Sequence, residues 1–420
     1  MKKILSFIFT ICGILICIPS ISCTSVIVSG KATKSGRPVI FKNRDTGNLN
    51  NRVNWKQGEK YCFIGLENAS KTTTEEWGGT NEAGFCIINT ASYNIKDDNV
   101  PESKMDNEGV LMYKALGVCA TISDFEKFLD EYPRPMGVET NFGVVDAEGG
   151  AAYYEVNNTK WVKYDVNDPN VAPRGYRVQT NFSECGRRED YQGYERYLTA
   201  CAIMDDLWKT AVDGRMDIDA MWLVNNMSRS YRHEVLGVDY NKNYERMVES
   251  GAFNGTAVDQ DFIPRRITSA VISMDGVKKG ENPLHTVMWT TLGYPAAVVT
   301  LPLMVCDSDR LPEYVKSTDK NHSLLCDIAM NVKMKHIFPD ALSNGKHYVR
   351  IDAVLKGTNG RPSLLDCCKE AENSIIKSFT RYYSNWVSGK ISDEKFYTKY
   401  VSDQSEWIKS YRKEFDTYIK

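Results

Sequence analysis

The apolar and polar positions alternate over some stretches of the chain and recur at helical spacing over others. From Cys23 to about residue 92 the pattern is mostly that of strands. The β-branched runs "SVIVSG" and "PVIFKN" are separated by "KATKSGR", whose Ser35-Gly36 supplies a turn. "GFCIINTASY" reads as a further strand entered through the turn "NEAG". Residues 107–132 predict two short amphipathic helices around "GVLMYKAL" and "ISDFEKFLDEY". A second strand group follows in "FGVVDA", "GAAYYEV", "WVKYDV" and "YRVQTNF", then helices over 191–213 and 217–227. Residues 230–265 are irregular and polar and read as a long surface loop near a site. "TSAVISM", "HTVMWTTL" and "AAVVTL" restore the strand pattern, and beyond Pro362 the chain reads as helical to its end. Ser363 with Asp366 forms a capping box for the first of those helices, and residues 393–415 predict a second, exposed one. Strands, helices, strands and helices in that order predict an α+β fold with two sheets covered by helices, not a doubly wound parallel sheet.

Composition narrows the function classes. The 420 residues, 42% hydrophobic and 25% charged, are those of a globular chain able to bury a substantial core. A net charge of −2 with no basic run argues against nucleic acid as a partner. Lys2 and Lys3, the apolar run "ILSFIFTICGILICI", Pro19 and the small residues Ser20 and Ser22 have the layout of a secretory signal over residues 1–22. The expected location is therefore periplasmic or extracellular. Of twelve cysteines, Cys12 and Cys17 fall in that segment. Cys86, Cys119 and Cys201 sit in apolar settings, as free cysteines that pack as small hydrophobes do. Cys367 and Cys368 are adjacent, and one or two disulfides are left open. "HEVLG" at 233–237 begins like a zinc-protease motif but lacks the second histidine. G-x-S-x-G, P-loop and G-x-G-x-x-G patterns are missing from the sequence, and the five histidines are scattered. No metal or organic cofactor is expected.

Ser20 and Ser22 stand at −3 and −1 relative to Cys23, which suits signal cleavage there. Cleavage would give Cys23 a free α-amine, whose ordinary pKa of ~7.7–8.0 lets it take the thiol proton near neutral pH. The nucleophile then carries its own base, and no histidine is needed. Two other readings stay open on position alone. Cys23 could simply begin a strand, or carry a lipid as the anchor of a non-catalytic surface lipoprotein, although Ser20 is a poor residue for lipidation.

"CTSVIVSGKATKSGRPVIFKNRD" (23–45) resembles the opening of N-terminal-nucleophile (Ntn) hydrolases of the choloylglycine hydrolase and penicillin V acylase branch. Acyl-coenzyme A:6-aminopenicillanate acyltransferase and secreted cysteine dipeptidases belong to the same broad group. The resemblance runs over roughly residues 23–300 and is strongest at the start. It implies a four-layer αββα sandwich of two mainly antiparallel sheets over residues 23–360, with residues 361–420 as a helical extension packed on the core. It implies that Cys23 is the nucleophile and that Asp45 hydrogen-bonds near its amine; read alone, Asp45 is equally a turn cap. Lys42 stands where the branch carries arginine, so either Lys42 supplies only charge or Arg44 takes over. "GGTNEAGFCIIN" makes Asn89 the oxyanion-hole residue, and "QTNFS" makes Asn181 a second polar group facing the acyl carbonyl, though alone it reads as a turn residue. "NFGVVDAEGGAAYYEV" is similar to the family's central hairpin, with its turn at Glu148-Gly149-Gly150. Arg196 in "GYERY" would support the site, or be an ordinary solvated helix charge. Trp77, Tyr93, Tyr231 and Trp289 are candidates for an acyl pocket, or core. The implied reaction is hydrolysis of a linear amide, such as an N-acyl amino acid, a bile-salt-like or a penicillin-like amide, through a Cys23 thioester. A dipeptidase or acyltransferase of the same fold is the alternative. The implied partner is a small amide or short peptide; homo-oligomerisation is left open.

Overall fold

The computed structural model describes residues 22–69, 74–317, 322–342 and 344–420, so all of the expected signal segment except Ser22 lies outside the described residues. Strands β1 (Thr24–Val28), β2 (Val39–Asp45), β3 (Asn51–Gln57), β4 (Cys62–Asn68), β5 (Gly78–Asn81) and β6 (Cys86–Ala91) come first. Helices α1 (Glu108–Val118) and α2 (Ile122–Glu131) follow, then β7 (Thr140–Val145), β8 (Ala151–Val156), β9 (Trp161–Asp165) and β10 (Tyr176–Gln179). Next are α3 (Tyr194–Trp208), α4 (Ala220–Leu223), the ribbon β11 (Arg232–His233) and β12 (Val238–Asp239), α5 (Tyr240–Glu249) and β13 (Thr256–Val258). Strands β14 (Thr268–Asp275), β15 (Val287–Leu292) and β16 (Leu301–Leu303) precede α6 (Leu324–Val332), β17 (Tyr348–Arg350), α7 (Ile351–Leu355) and α8 (Leu364–Val387). The chain closes with α9 (Asp393–Glu414) and α10 (Asp416–Ile419).

One sheet has the order β10-β1-β2-β14-β15-β16, the other runs β3 to β9 in sequence, and every pairing in both is antiparallel. The sheets lie face to face, with β1 and β2 against β6, β7 and β8. Gly143 permits the close approach: a methyl there would meet Ile27 Cδ1 at 3.1 Å and Ile88 Cγ1 at 3.0 Å. Gly78, with φ +146°, does the same on β5, where a methyl would meet Ile272 Cδ1 of β14 at 2.3 Å. Helices α1 and α2 cover the outer face of the longer sheet over a core of Phe85, Phe125, Phe142 and Tyr154. Helices α3, α4, α6 and α8 cover the other sheet. The result is an α+β sandwich of four layers, helix–sheet–sheet–helix.

Several local expectations need correction. The 230–265 stretch holds the β11–β12 ribbon, the amphipathic helix α5 and β13, because Tyr240, Tyr244 and Met247 on one face of α5 pack against the core beside Phe253. In "AAVVTL" only Leu301 and the residues after it pair as a strand, since the Thr300 amide donates to Glu372 Oε1 at 2.6 Å. The helix expected over 217–227 is one short turn, α4, continued by a wider π turn over Val224–Ser228. Ser363 does cap α8, but Asp366 accepts from the Ser363 hydroxyl at 2.6 Å. All ten cysteines from Cys23 onward are free thiols, so no disulfide forms among the described residues.

The C-terminal helices share the main core. Phe379 packs edge-on against Trp289 of β15, and Trp386 stacks on Phe396 across the α8–α9 hairpin. Glu372 of α8 receives both ends of the Arg229 guanidinium at 2.7 Å, with both residues almost fully buried. Breaking such a pair strands a charge in apolar surroundings. Glu372→Ala is therefore expected to cost roughly 3–5 kcal/mol in urea unfolding. A loss below about 1 kcal/mol would show that α8 is an appendage and not part of the folding unit.

Candidate active site

Strand pairing brings the pieces together around Cys23. β1 is flanked by β2 and β10, with Thr24 opposite Asn43 and Ser25 opposite Gln179. One step further along, Cys23 lies at the strand end beside the last residues of β2 and the segment that follows β10. Cys23 is still joined to Ser22 and is 3% exposed. It lines a cavity of about 330 Å³ together with Lys42, Arg44, Asp45, Asn89, Trp77 and Tyr93. Glu75, Asp106, Glu108 and Glu139 form part of the same wall.

Lys42 and Arg44, two apart on β2, project to the same side, between the sheets. Lys42 Nζ donates to Asn89 Oδ1 at 2.6 Å and to the Trp77 carbonyl at 2.7 Å. Its exposure is only 1%, and desolvation lowers the ammonium to about 8 even though the Cys23 thiol and Glu108 favour its charge. The Arg44 guanidinium is committed to Asn51 and to Asn68 (3.0 Å) and lies over the Trp77 ring at 4.9 Å. Burial lowers it to about 10. On the choice between the two cations, Lys42 holds the Asn89 side chain, and Arg44 is locked into β3 and β4.

Asn89, on β6, accepts from Lys42 through Oδ1 and donates one amide N–H to Thr140 Oγ1 at 3.3 Å. Its second N–H is uncommitted among the described residues. Asp45 ends β2 and accepts from Arg265 Nε (2.8 Å), Thr268 Oγ1 (2.7 Å) and Asn43 Nδ2 (2.8 Å). Complete burial raises its pKa, opposed by Arg265 and then Arg196. Arg196 is 1% exposed and not a solvated helix charge: its guanidinium donates to the Cys23 carbonyl at 2.8 Å, Thr24 Oγ1 at 3.1 Å and Asn181 Oδ1 at 3.0 Å.

Two expectations are corrected here. Asn181 is not on the cavity wall: its amide N–H bonds the Ala91 carbonyl at 3.0 Å and its oxygen holds Arg196. Of the four aromatics, Trp77 and Tyr93 line the cavity, whereas Tyr231 pairs with Tyr294 in the core and Trp289 Nε1 bonds Asp275 under the C-terminal helices. Sequence reasoning missed Arg265, Glu75, Asp106, Glu108 and Glu139. Arg265 falls at the end of the polar stretch expected to lie near a site; the four acids carry no motif and reach the cavity only because the segments before β5, α1 and β7 pack together around it. No group of metal-binding residues occurs among the described residues.

No family model and no curated protein matches the chain. Among solved structures, it is similar to an N-acylethanolamine-hydrolyzing acid amidase ortholog from Caenorhabditis elegans, at 15% identity and TM-score 0.40 over 60% of this chain and 92% of that one. It is also similar to a variant of the conjugated bile acid hydrolase from Clostridium perfringens, at 11% identity and TM-score 0.38 over 64% of this chain and 89% of that one. Penicillin V acylase from Agrobacterium tumefaciens aligns at 13% identity and TM-score 0.34 over 67% and 86% of the two chains. At these scores the four-layer fold rests on this chain's own sheets and helices.

Glu108, at the start of α1, gives the site a measurable signature. Burial, then its carboxylate neighbours Asp106 and Glu139, raises it to about 7, although the Glu139 amide donates to its Oε1 at 3.0 Å. A carboxyl raised in the folded state favours folding below its unfolded pKa, and that contribution is lost as pH rises through the folded value. Glu108→Gln should thus stabilise the protein by roughly 1–3 kcal/mol at pH 8 and by almost nothing near pH 4.5, in urea unfolding at the two pH values. An equal effect at both would remove the pH-linked burial of Glu108.

Proposed function

We propose that this protein is an exported cysteine amidohydrolase of the N-terminal-nucleophile type, which cleaves a linear amide through a thioester on Cys23. The observation that carries the reading is the position of the Cys23 thiol: immediately before the first strand, on the wall of a cavity, beside an asparagine held by a buried lysine. Removal of the segment before Cys23 supplies the free α-amine that the chemistry requires. A lipid on Cys23 would leave this arrangement of buried charges without a use.

The steps follow from the groups in place. The α-amine takes the thiol proton, and the thiolate sulfur attacks the amide carbonyl carbon to form a C–S bond. The uncommitted Asn89 N–H and the third N–H of Lys42 donate to the oxyanion of the tetrahedral intermediate. The protonated amine then gives its proton to the leaving nitrogen as the C–N bond breaks. Water, deprotonated by the same amine, attacks the thioester; the C–S bond breaks and the sulfur recovers its proton.

Positioning rests on residues that do not touch the reacting atoms. Arg196 fixes the Cys23 carbonyl and is itself aimed by Asn181, so Asn181 serves as a positioning residue and not as an oxyanion donor. Asp45, held by Arg265 and Thr268, offsets the positive charge of Lys42, Arg44 and Arg196.

Cys23→Ala is expected to abolish turnover of any amide the wild type cleaves. Asn89→Ala should lower kcat by about 10²–10³-fold with little change in KM, the pattern of a donor used mainly in the transition state. Steady-state kinetics on a panel of chromogenic amides checks both, and full activity in Cys23→Ala would overturn the mechanism.

A further inference from the structure

The cavity around Cys23 carries an acidic wall for which the hydrolytic steps have no need. Glu108 is 6% exposed and lines the cavity, and its carboxylate is met only by backbone N–H groups, that of Glu139 on Oε1 and its own. No cation lies within ion-pair distance of Glu108, Asp106 or Glu139 among the described residues. Lys42, whose ammonium Glu108 favours, donates instead to Asn89 and Trp77. The cations that act on Glu139 are Lys96 and Arg187, and they bond Glu102 and Asp190 respectively. A buried carboxylate with no countercharge costs stability unless something else completes it.

Resting on the amidase reading above, we propose that the substrate carries a primary ammonium group, which seats against Glu108 with Glu139 and Asp106 beside it while the scissile carbonyl lies over Cys23. Size agrees with this: about 330 Å³ is near the lower end of the roughly 300–1,000 Å³ usual for ligand pockets, enough for a dipeptide-sized molecule. The polarity agrees as well. Lys42 bonds Asn89, whereas Asp106, Glu108 and Glu139 flank the start of α1 and of β7, so an oxyanion is favoured at the former and an ammonium at the latter. Trp77 and Tyr93 complete the lining and can pack on the short chain between the two groups. The ammonium can belong to the acyl part, as in an aminoacyl amide or short peptide, or to the leaving amine.

Two matched pairs of amides, given to the mature protein, test this and separate the two sources. Alanyl-p-nitroanilide against N-acetylalanyl-p-nitroanilide places the ammonium on the acyl side. The phenylacetyl amide of ethylenediamine against that of propylamine places it on the leaving side. The expected result is a kcat/KM preference of tenfold or more for the ammonium-bearing member of one pair. Glu108→Gln and Glu139→Gln should each reduce that preference, mainly through KM. Equal or better cleavage of the neutral members, or a preference unchanged in both variants, overturns the ammonium site and leaves the amidase intact. Failure of all four amides to be cleaved or to acylate Cys23 removes the amidase reading, and the ammonium site falls with it.

Discussion

The Arg196 guanidinium, almost without access to water, is bonded to the backbone carbonyl of Cys23, and the geometry of the site depends on that contact. A buried guanidinium demands acceptors, and here they are the Cys23 carbonyl, Thr24 and Asn181. The acceptors come from two parts of the sandwich edge: Cys23 and Thr24 at the start of β1, and Asn181 in the segment after β10. The same cation therefore fixes where the chain leaves the sheet and where the thiol points. Because α3 carries Arg196, the outer helical layer has a direct hold on the first residue of the strand beneath it.

Around this anchor the molecule concentrates charge where a fold by itself would avoid it. Lys42, Arg44, Asp45 and Arg196 are all buried, and each is met by designated partners on a neighbouring strand or loop. Desolvation brings Lys42 down to about 8 and Glu108 up to about 7, so both sit within reach of a proton near neutral pH. Such an arrangement suits a site in which a thiol and an amine exchange a proton and a carbonyl gains negative charge. It is poorly suited to a purely structural sheet edge, where apolar residues would pack at lower cost.

Much of this was legible in the sequence, for identifiable reasons. The strands of β1, β2, β6, β7 and β8 announce themselves because both faces are buried and their residues are β-branched or aromatic. Cys23, Lys42, Arg44, Asp45 and Asn89 could be named because the segments that carry them resemble those of the Ntn-hydrolase branch, and the fold places them on β2, on β6 and just before β1. Asn181 and Arg196 meet beside the start of β1, but which of their atoms face what depends on α3 packing, which no local pattern encodes. The acidic wall was invisible: Glu108 and Glu139 are ordinary charges in helix- and strand-adjacent segments, made unusual only by burial. The region 230–265 was misread because α5 is a surface helix with a mostly polar face, anchored by a few aromatics against Phe253.

The central claim is that Cys23, freed at its amine, becomes acylated during turnover. The most direct measurement is the intact mass of the mature protein, mixed with an amide substrate, quenched in acid and mapped by peptide. The account predicts a chain beginning at Cys23 and a hydroxylamine-labile acyl group on that residue. A chain with Ser22 still attached, a lipid on Cys23, or an acyl group on any other residue would contradict it.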